Sequence, residues 1–256
     1  MPLVPDLRVI PLTRIVPHED FDPLRVDRLA RRISESGHQL NPVICIEADS
    51  GDFVLLDGAT RTAALRHLGL GYGLVQVVAA ETVTLATWHH VVRDANPDEV
   101  LGRIDDNQDL LVVAPSMPPR LSTSDGRRVT VSGTGSLYRA LSAMVDSYVG
   151  RWKVSRMEEA DLPHVAELYP DWAVLVEHPI LTIDDVMKAA LSEDRLPAGV
   201  TRFIVPDRAL RVKAELVVLA EGPQSQRQAQ LDQMIEDLVG AARVRRYPQS
   251  VVIFDE

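Results

Sequence analysis

The segment FVLLDGATRTAALRHLG, residues 53–69, decides the fold because an apolar run changes into a helical pattern at Asp57-Gly58. Residues 53–56 predict a strand, and the apolar positions that follow, closed by Gly69, predict a short helix with a glycine stop. A glycine at such a junction lets a ligand approach the backbone, and a helix start offers free N–H groups to an anion. The sequence therefore predicts a strand-to-helix turn suited to phosphate.

Side chains of the same turn add chemistry to the backbone of Gly58 and Ala59. The Thr60 hydroxyl and the Arg61 guanidinium can donate hydrogen bonds to a phosphate. The Asp57 carboxylate at the strand end can hold a divalent cation or orient an acceptor. Taken alone the motif has a second interpretation, because Asp-Gly is a common turn and threonine a common helix cap.

Outward from this turn, the sequence predicts an α/β (α+β) protein of two lobes, residues 1–95 and 96–256. The first lobe has predicted strands at 7–12, 42–47, 53–56 and 74–78, of which the middle two form a hairpin or lie next to each other. It has predicted helices at 60–68 and at 22–37, the latter opened by Asp22-Pro23 and with Val26, Leu29, Ala30 and Ile33 on one apolar face. The second has predicted strands at 128–132, 152–154, 173–176 and 251–254, and helices at 137–149 and 224–242. A further helix is predicted from Thr182, where the Thr182 hydroxyl and Asp185 make a start that resembles a capping box. Residues 114–127, rich in proline and serine, predict a linker or an ordered surface connection between lobes.

Composition narrows the classes of function. The chain of 256 residues has a formal net charge of -10, which opposes general attraction to nucleic acid or to an anionic membrane. Its apolar runs are too short to span a bilayer and its first residues lack a signal pattern, so we expect a cytoplasmic protein. The single cysteine, Cys45, lies in an apolar run and is interpreted as a core residue. P-loop, zinc-protease and serine-hydrolase motifs are absent.

Glu19 is a second candidate residue, in the polar stretch HEDFDPLR at 18–25. A carboxylate near an acceptor hydroxyl can take its proton during phosphoryl transfer, where catalysis is otherwise mostly positioning and charge stabilisation. A solvated acidic loop is the alternative interpretation.

Residues 7–78 resemble the ParB/sulfiredoxin nucleotide-binding fold, and the pattern continues with Thr87-Trp88-His89 and with PAGVTRF at 197–203. Taken in this order, all three stretches are similar to the ParB-like free serine kinases, especially the one from staphyloferrin B siderophore loci. The resemblance implies a ParB/sulfiredoxin-like N-terminal lobe, a second α/β lobe and an active site in the cleft between them. It also implies transfer of a phosphoryl group from ATP or ADP, with Mg2+, to free L-serine, for siderophore or other specialised biosynthesis.

The same resemblance assigns roles to individual residues. It implies Glu19 as the catalytic base, Asp57 as the residue that positions metal or acceptor, nucleotide contacts at Gly58, Ala59, Thr60 and Arg61, and amino-acid contacts at Trp88, His89, Thr201 and Arg202. The Arg202 guanidinium can fork onto a carboxylate or phosphate, and Trp88 can wall the pocket. Without the resemblance, Trp88 would be interpreted as a core aromatic residue, and His89 and His90 as solvated or capping histidines. Thr201-Arg202 would then be interpreted as part of an amphipathic strand.

One position departs from the family pattern Asp-Gly-x-His-Arg, because Thr60 stands where the histidine belongs. Threonine donates one hydrogen bond but carries no charge and shuttles no proton near neutral pH. Four alternatives therefore stay open. The protein has weakened activity, uses another nucleotide, uses another acceptor such as threonine or homoserine, or is a non-catalytic relative that binds an amino acid. Ala59 at the position of the reactive cysteine excludes a sulfiredoxin.

A hypothesis of another class is a ligand-responsive regulatory protein that binds DNA or a partner without turnover. Its support is the basic run Arg243-Val244-Arg245-Arg246, which a solvated helix end also explains. The acidic balance and the lack of a helix-turn-helix with a basic recognition helix argue against it.

Overall fold

The computed structural model describes residues 4–21, 23–113, 119–133, 135–192, 194–220 and 222–247. The chain divides into two compact units, each assembled from separate segments. The first contains Phe21–Val83, the segment that ends at Pro17 and the segment that begins at Val205, and the second contains His18–Asp20 and Thr84–Ile204.

The described strands are β1 (Leu7–Pro11), β2 (Ile15–Pro17), β3 (His38–Gln39), β4 (Val43–Glu47), β5 (Phe53–Asp57), β6 (Tyr72–Val77), β7 (Thr84–Thr87), β8 (His89–Arg93), β9 (Leu110–Val113), β10 (Arg120–Thr123), β11 (Arg128–Gly133), β12 (Lys153–Met157), β13 (Trp172–Glu177), β14 (Thr201–Ile204) and β15 (Ala214–Glu215). The described helices are α1 (Pro23–Ser36), α2 (Ala59–His67), α3 (Pro97–Asp105), α4 (Leu137–Asp146), α5 (Leu162–Leu168), α6 (Ile183–Leu191), α7 (Leu216–Leu219) and α8 (Gln224–Gly240). Among them, none has the length and apolar character needed to cross a bilayer.

The first unit is built on a mixed sheet with the strand order β1-β6-β4-β5-β2. Strands β4 and β5 pair antiparallel, which is the hairpin alternative of the two that their sequence left open, whereas β2 lies parallel to β5 and β4 parallel to β6. Helix α1 turns Val26, Ala30 and Ile33 into the core, in agreement with their helical spacing. Cys45 is buried in the same core, and burial raises the pKa of its thiol, so the prediction of a core cysteine is confirmed.

The C-terminal segment completes the first unit. Strand β15 pairs with β3, and helix α8 packs on β1 with Leu231 in a cluster that includes Val9 and Leu74. The contact units therefore differ from lobes drawn at 1–95 and 96–256. Residues 205–247 belong with the first unit, and β8 belongs with the second because it pairs with both β12 and β13.

The second unit contains an antiparallel sheet with the strand order β12-β8-β13-β10-β11-β9. Strand β10 lies inside this sheet between β11 and β13, so the interpretation of residues 120–123 as linker is wrong. Leu121 and Thr123 are buried on alternate positions, which is a strand pattern too short to stand out beside its proline-rich neighbours. Helix α6 begins with the predicted capping box of Thr182 and Asp185. The predicted strand at 251–254, residues 114–118 and Asp22 lie outside the described residues.

Candidate functional site

The start of helix α2 has the geometry of an anion site. Gly58 precedes the helix with φ 106°, and no side-chain hydrogen bond caps α2 within the described part of the chain. A Cβ at Gly58 would stand 2.7 Å from Val43 Cγ1 and 2.9 Å from Arg61 Nη1, so both backbone and packing require glycine. The first N–H groups of the helix, at Ala59 and Thr60, consequently have no side-chain cap to compete with an anion.

Two guanidinium groups and one carboxylate lie beside this helix start. Asp57 at the end of β5 forms an ion pair with Arg208, with 2.5 Å between Oδ2 and Nη1. Arg61 Nη1 donates to the Pro42 carbonyl at 2.8 Å. Burial lowers the pKa of the Arg61 guanidinium, while Asp57 acts in the opposite direction and Arg208 in the same direction as burial. Arginine stays charged under such a perturbation, so the Arg61 guanidinium carries a positive charge that attracts an anion to the turn.

A divalent cation fits this turn only when a phosphate group is bound there too. No group of three His, Cys, Asp or Glu side chains among the described residues could hold a metal ion. Mg2+ is usually held by one or two carboxylates together with phosphate oxygens and water, rather than by a cage of protein ligands. The single carboxylate of Asp57 fits that pattern.

Glu19, in the second unit, is held by the segment that follows α6. It forms a parallel bridge with Leu196, whose N–H donates to the His18 carbonyl at 2.9 Å. The Gly199 N–H donates to Glu19 Oε2 at 3.4 Å. Gly199 has φ 85°, and a Cβ there would collide with the Arg156 guanidinium. The half-buried carboxylate of Glu19 is thus fixed by chain segments that are distant in sequence.

Strands β7 and β14 bring three of the predicted amino-acid-binding residues together. Thr201 is paired with Thr87, and the Trp88 N–H donates to the Val200 carbonyl at 2.8 Å. The Arg202 guanidinium carbon lies 4.7 Å from the centroid of the Trp88 ring. Trp88 is half-buried under this cation rather than enclosed in the core, so the core-aromatic interpretation is wrong.

Polar partners orient the two strand residues further. Arg202 Nη1 lies 2.8 Å from Glu158 Oε2, and Thr201 Oγ1 lies 3.2 Å from Nε2 of the buried His18. Thr201-Arg202 does belong to a strand, as its pattern indicates.

His89 is a neutral hydrogen-bond donor. Its Nδ1 accepts the His178 backbone N–H at 3.2 Å, so the proton of the neutral ring is on Nε2. Burial lowers the pKa of His89, while the Glu177 carboxylate acts in the opposite direction. His90 is 2% exposed, which makes its interpretation as a solvated histidine wrong.

The structure therefore divides the predicted site residues between the two units. Asp57, Gly58, Ala59, Thr60 and Arg61 form one contiguous turn of the first unit. Glu19, Trp88, His89, Thr201 and Arg202 all belong to the second. Sequence reasoning missed Arg208, because its partner Asp57 lies 151 positions away and no local pattern connects them.

Comparison with known proteins gives relatives over almost the whole chain. No protein-family model matches. The ATP-dependent L-serine kinase SbnI of Staphylococcus aureus (strain NCTC 8325 / PS 47) is 22% identical over 253 residues, which cover 98% of this chain and 97% of that protein.

Solved structures with the same architecture agree. C-terminally truncated SbnI from Staphylococcus aureus has a TM-score of 0.76 at 21% identity and covers 91% of this chain and 97% of its own. A free serine kinase in complex with AMP has a TM-score of 0.72 at 16% identity, covering 84% of this chain and 93% of its own. The prediction that this chain has the fold of the free serine kinases is confirmed, since it shares the fold of SbnI and of the free serine kinase over most of its length.

Proposed function

We propose that this protein is a nucleotide-dependent kinase that transfers a phosphoryl group from ATP or ADP to free L-serine and forms O-phospho-L-serine. The observation that carries the proposal is the similarity to the serine kinase SbnI across 98% of the chain. The geometry supports it with an uncapped helix start beside two guanidinium groups, and with the half-buried carboxylate of Glu19, which accepts from the Gly199 N–H. The product would serve siderophore or other specialised biosynthesis.

In the proposal, the nucleotide phosphates bind at the start of α2. The N–H groups of Ala59 and Thr60 and the Thr60 hydroxyl donate to phosphate oxygens, and Arg61 and Arg208 neutralise their charge. Mg2+ bound at Asp57 would offset the charge that develops on the transferred group. Arg208 then exchanges its present partner, the Asp57 carboxylate, for phosphate oxygens.

The amino acid binds to the residues of the second unit. Arg202 and the Nε2–H of His89 donate to the serine carboxylate, Thr201 adds a hydroxyl, and the Trp88 ring walls the pocket. Glu19 accepts the proton of the serine hydroxyl as its oxygen bonds to the terminal phosphorus of the donor. The bond from that phosphorus to the bridging oxygen breaks, and the shortened nucleotide leaves with its electron pair.

Direct assay tests the proposal. Purified protein is incubated with Mg2+, either ATP or ADP, and a panel of hydroxy amino acids, and products are identified by phosphorus NMR and mass spectrometry. We expect O-phosphoserine from the wild-type chain and a loss of roughly a hundredfold or more in Glu19→Ala and Glu19→Gln. Asp20→Asn is the matched control, because Asp20 is the exposed carboxylate next in sequence and pairs only loosely with Arg195 at 3.7 Å. Measurable nucleotide binding without product from any acceptor would refute the kinase.

A kinase for threonine or homoserine is the second candidate, favoured by Thr60 in place of the family histidine. The same panel separates the acceptors by their kcat/KM values. The basic run at 243–246 gives the regulatory alternative less support than its charge indicates, because Arg246 is paired with Asp207 at 2.7 Å and is less available to a phosphate backbone. A DNA-binding assay at several salt concentrations tests that alternative.

A further inference from the structure

A chain of hydrogen bonds connects the proposed serine-binding His89 with the proposed base Glu19 through the interior of the second unit. His89 Nδ1 contacts the His178 N–H at 3.2 Å, and His178 Nε2 lies 3.4 Å from the Tyr148 hydroxyl. That hydroxyl lies 2.8 Å from His90 Nδ1, and His90 Nε2 lies 3.0 Å from the Gly199 carbonyl. The Gly199 N–H completes the chain at Glu19 Oε2.

Backbone groups fix the direction of these bonds. A carbonyl only accepts, so His90 carries its proton on Nε2 and donates to Gly199. Its Nδ1 consequently accepts from the Tyr148 hydroxyl, whose oxygen accepts in turn from His178 Nε2–H. Burial lowers the pKa of His90 to about 4 and that of His178 as well, which keeps both rings neutral near pH 7.

Gly199 needs this external support. It is the residue whose two backbone polar groups contact His90 on one side and Glu19 on the other, and its φ of 85° is a conformation that glycine leaves easily. Arg156 closes the side where a Cβ would project. The bond from His90 holds the peptide that follows the Gly199 Cα, and through that Cα it restrains the preceding N–H, which faces Glu19.

Such a network is costly in a core. Tyr148, His90 and His178 are at most 2% exposed, and His178 Nδ1 has no hydrogen-bond partner among the described residues. A buried polar atom without a partner costs about 1–3 kcal/mol. Replacing hydrogen-bonded partners by apolar groups of the same shape is often neutral or stabilising, so stability alone does not account for these side chains.

We propose that His90 is a positioning residue that holds Gly199 and, through it, sets the carboxylate of Glu19 for proton transfer. The inference rests on the proposed function for its catalytic consequence. It predicts that the hydrogen bond to Gly199, rather than the imidazole ring as such, is what His90 contributes.

Two substitutions separate these contributions. In His90→Gln the amide nitrogen reaches the place of Nε2 and keeps the donation to Gly199. In His90→Asn the amide oxygen reaches the place of Nδ1 and keeps the bond to Tyr148, but the donation to Gly199 is lost. We expect His90→Asn to lower kcat for serine phosphorylation roughly tenfold or more, with KM for the nucleotide within about twofold, and His90→Gln to stay within about threefold of wild type. Equal kcat values for the two variants would overturn the proposal.

A second measurement does not depend on activity. Hydrogen exchange of the Gly199 amide, followed by NMR, is expected to be about tenfold faster in His90→Asn than in wild type and unchanged in His90→Gln. Equal exchange in the two variants also overturns the proposal. A wild-type protein without serine kinase activity refutes the proposed function alone, because the exchange experiment still decides the role of His90. If His90→Asn does not fold, Tyr148→Phe replaces it: the loss of its hydroxyl loosens the His90 ring, and unchanged Gly199 exchange would refute the inference.

Discussion

Acid should destabilise the second unit through its buried histidines. Burial lowers the pKa of His90 from its ordinary value of 6.5 to about 4, with the bond to Gly199 acting in the opposite direction. Between these two pH values the unfolded chain binds a proton that the folded chain does not, so the free energy of unfolding falls as the pH falls. The pKa difference corresponds to about 3 kcal/mol in total, of which about 2 kcal/mol is lost between pH 7 and pH 5. His178 acts in the same direction.

Urea unfolding followed by tryptophan fluorescence measures this loss. The three tryptophans, Trp88, Trp152 and Trp172, all belong to the second unit, so the signal reports its unfolding. The experiment compares wild type with His90→Gln at pH 7 and pH 5. The other histidines titrate in both proteins, and the difference between the two pH dependences therefore isolates His90. We expect wild type to lose about 2 kcal/mol more than the variant.

The reasoning fails if both proteins lose the same free energy of unfolding between pH 7 and pH 5. That result would mean that His90 takes up its proton in the folded protein without cost, against its burial and its two hydrogen bonds. A larger loss in the variant than in wild type would contradict the sign of the linkage.

Two further predictions concern the proposed phosphate site at the start of α2. Arg208→Ala should weaken ADP binding roughly tenfold, measured by calorimetry with Mg2+ present. The control is Arg211→Ala, at a neighbouring exposed arginine, and it should change ADP binding less than about twofold. Equal effects of the two substitutions would remove Arg208 from the proposed phosphate site. Thr60→His restores the family pattern and is expected to raise kcat/KM for serine or to change the preferred acceptor in the panel assay. If rate and specificity stay the same, this position does not explain the departure from the family.

Local sequence patterns predicted the structure correctly where it is determined by residues that are close in sequence. The change of period at Asp57-Gly58 predicted the β5–α2 junction, and the spacing of Val26, Ala30 and Ile33 predicted the buried face of α1. The capping box at Thr182 is another such case, because both of its hydrogen bonds lie within one helical turn.

Contacts between distant segments were not predictable in this way. Strand β10 has only four residues, and its place inside a sheet depends on partners in β11 and β13. The candidate site shows the same limit. Asp57 to Arg61 could be identified from their own chemistry, whereas Glu19 was singled out firmly only through the family resemblance. The partnership of His90 with Gly199 spans 109 positions, so no window of sequence contains it.

The segmented first unit has a consequence for synthesis on the ribosome. Helix α8 covers Val9 and Leu74, yet it is translated after the whole of the second unit. Those apolar side chains must therefore wait uncovered while more than a hundred residues emerge, a period of several seconds or more at ordinary elongation rates. The nascent chain is exposed to aggregation and to chaperones during that interval. The first unit thus begins synthesis before the second and completes its core after it.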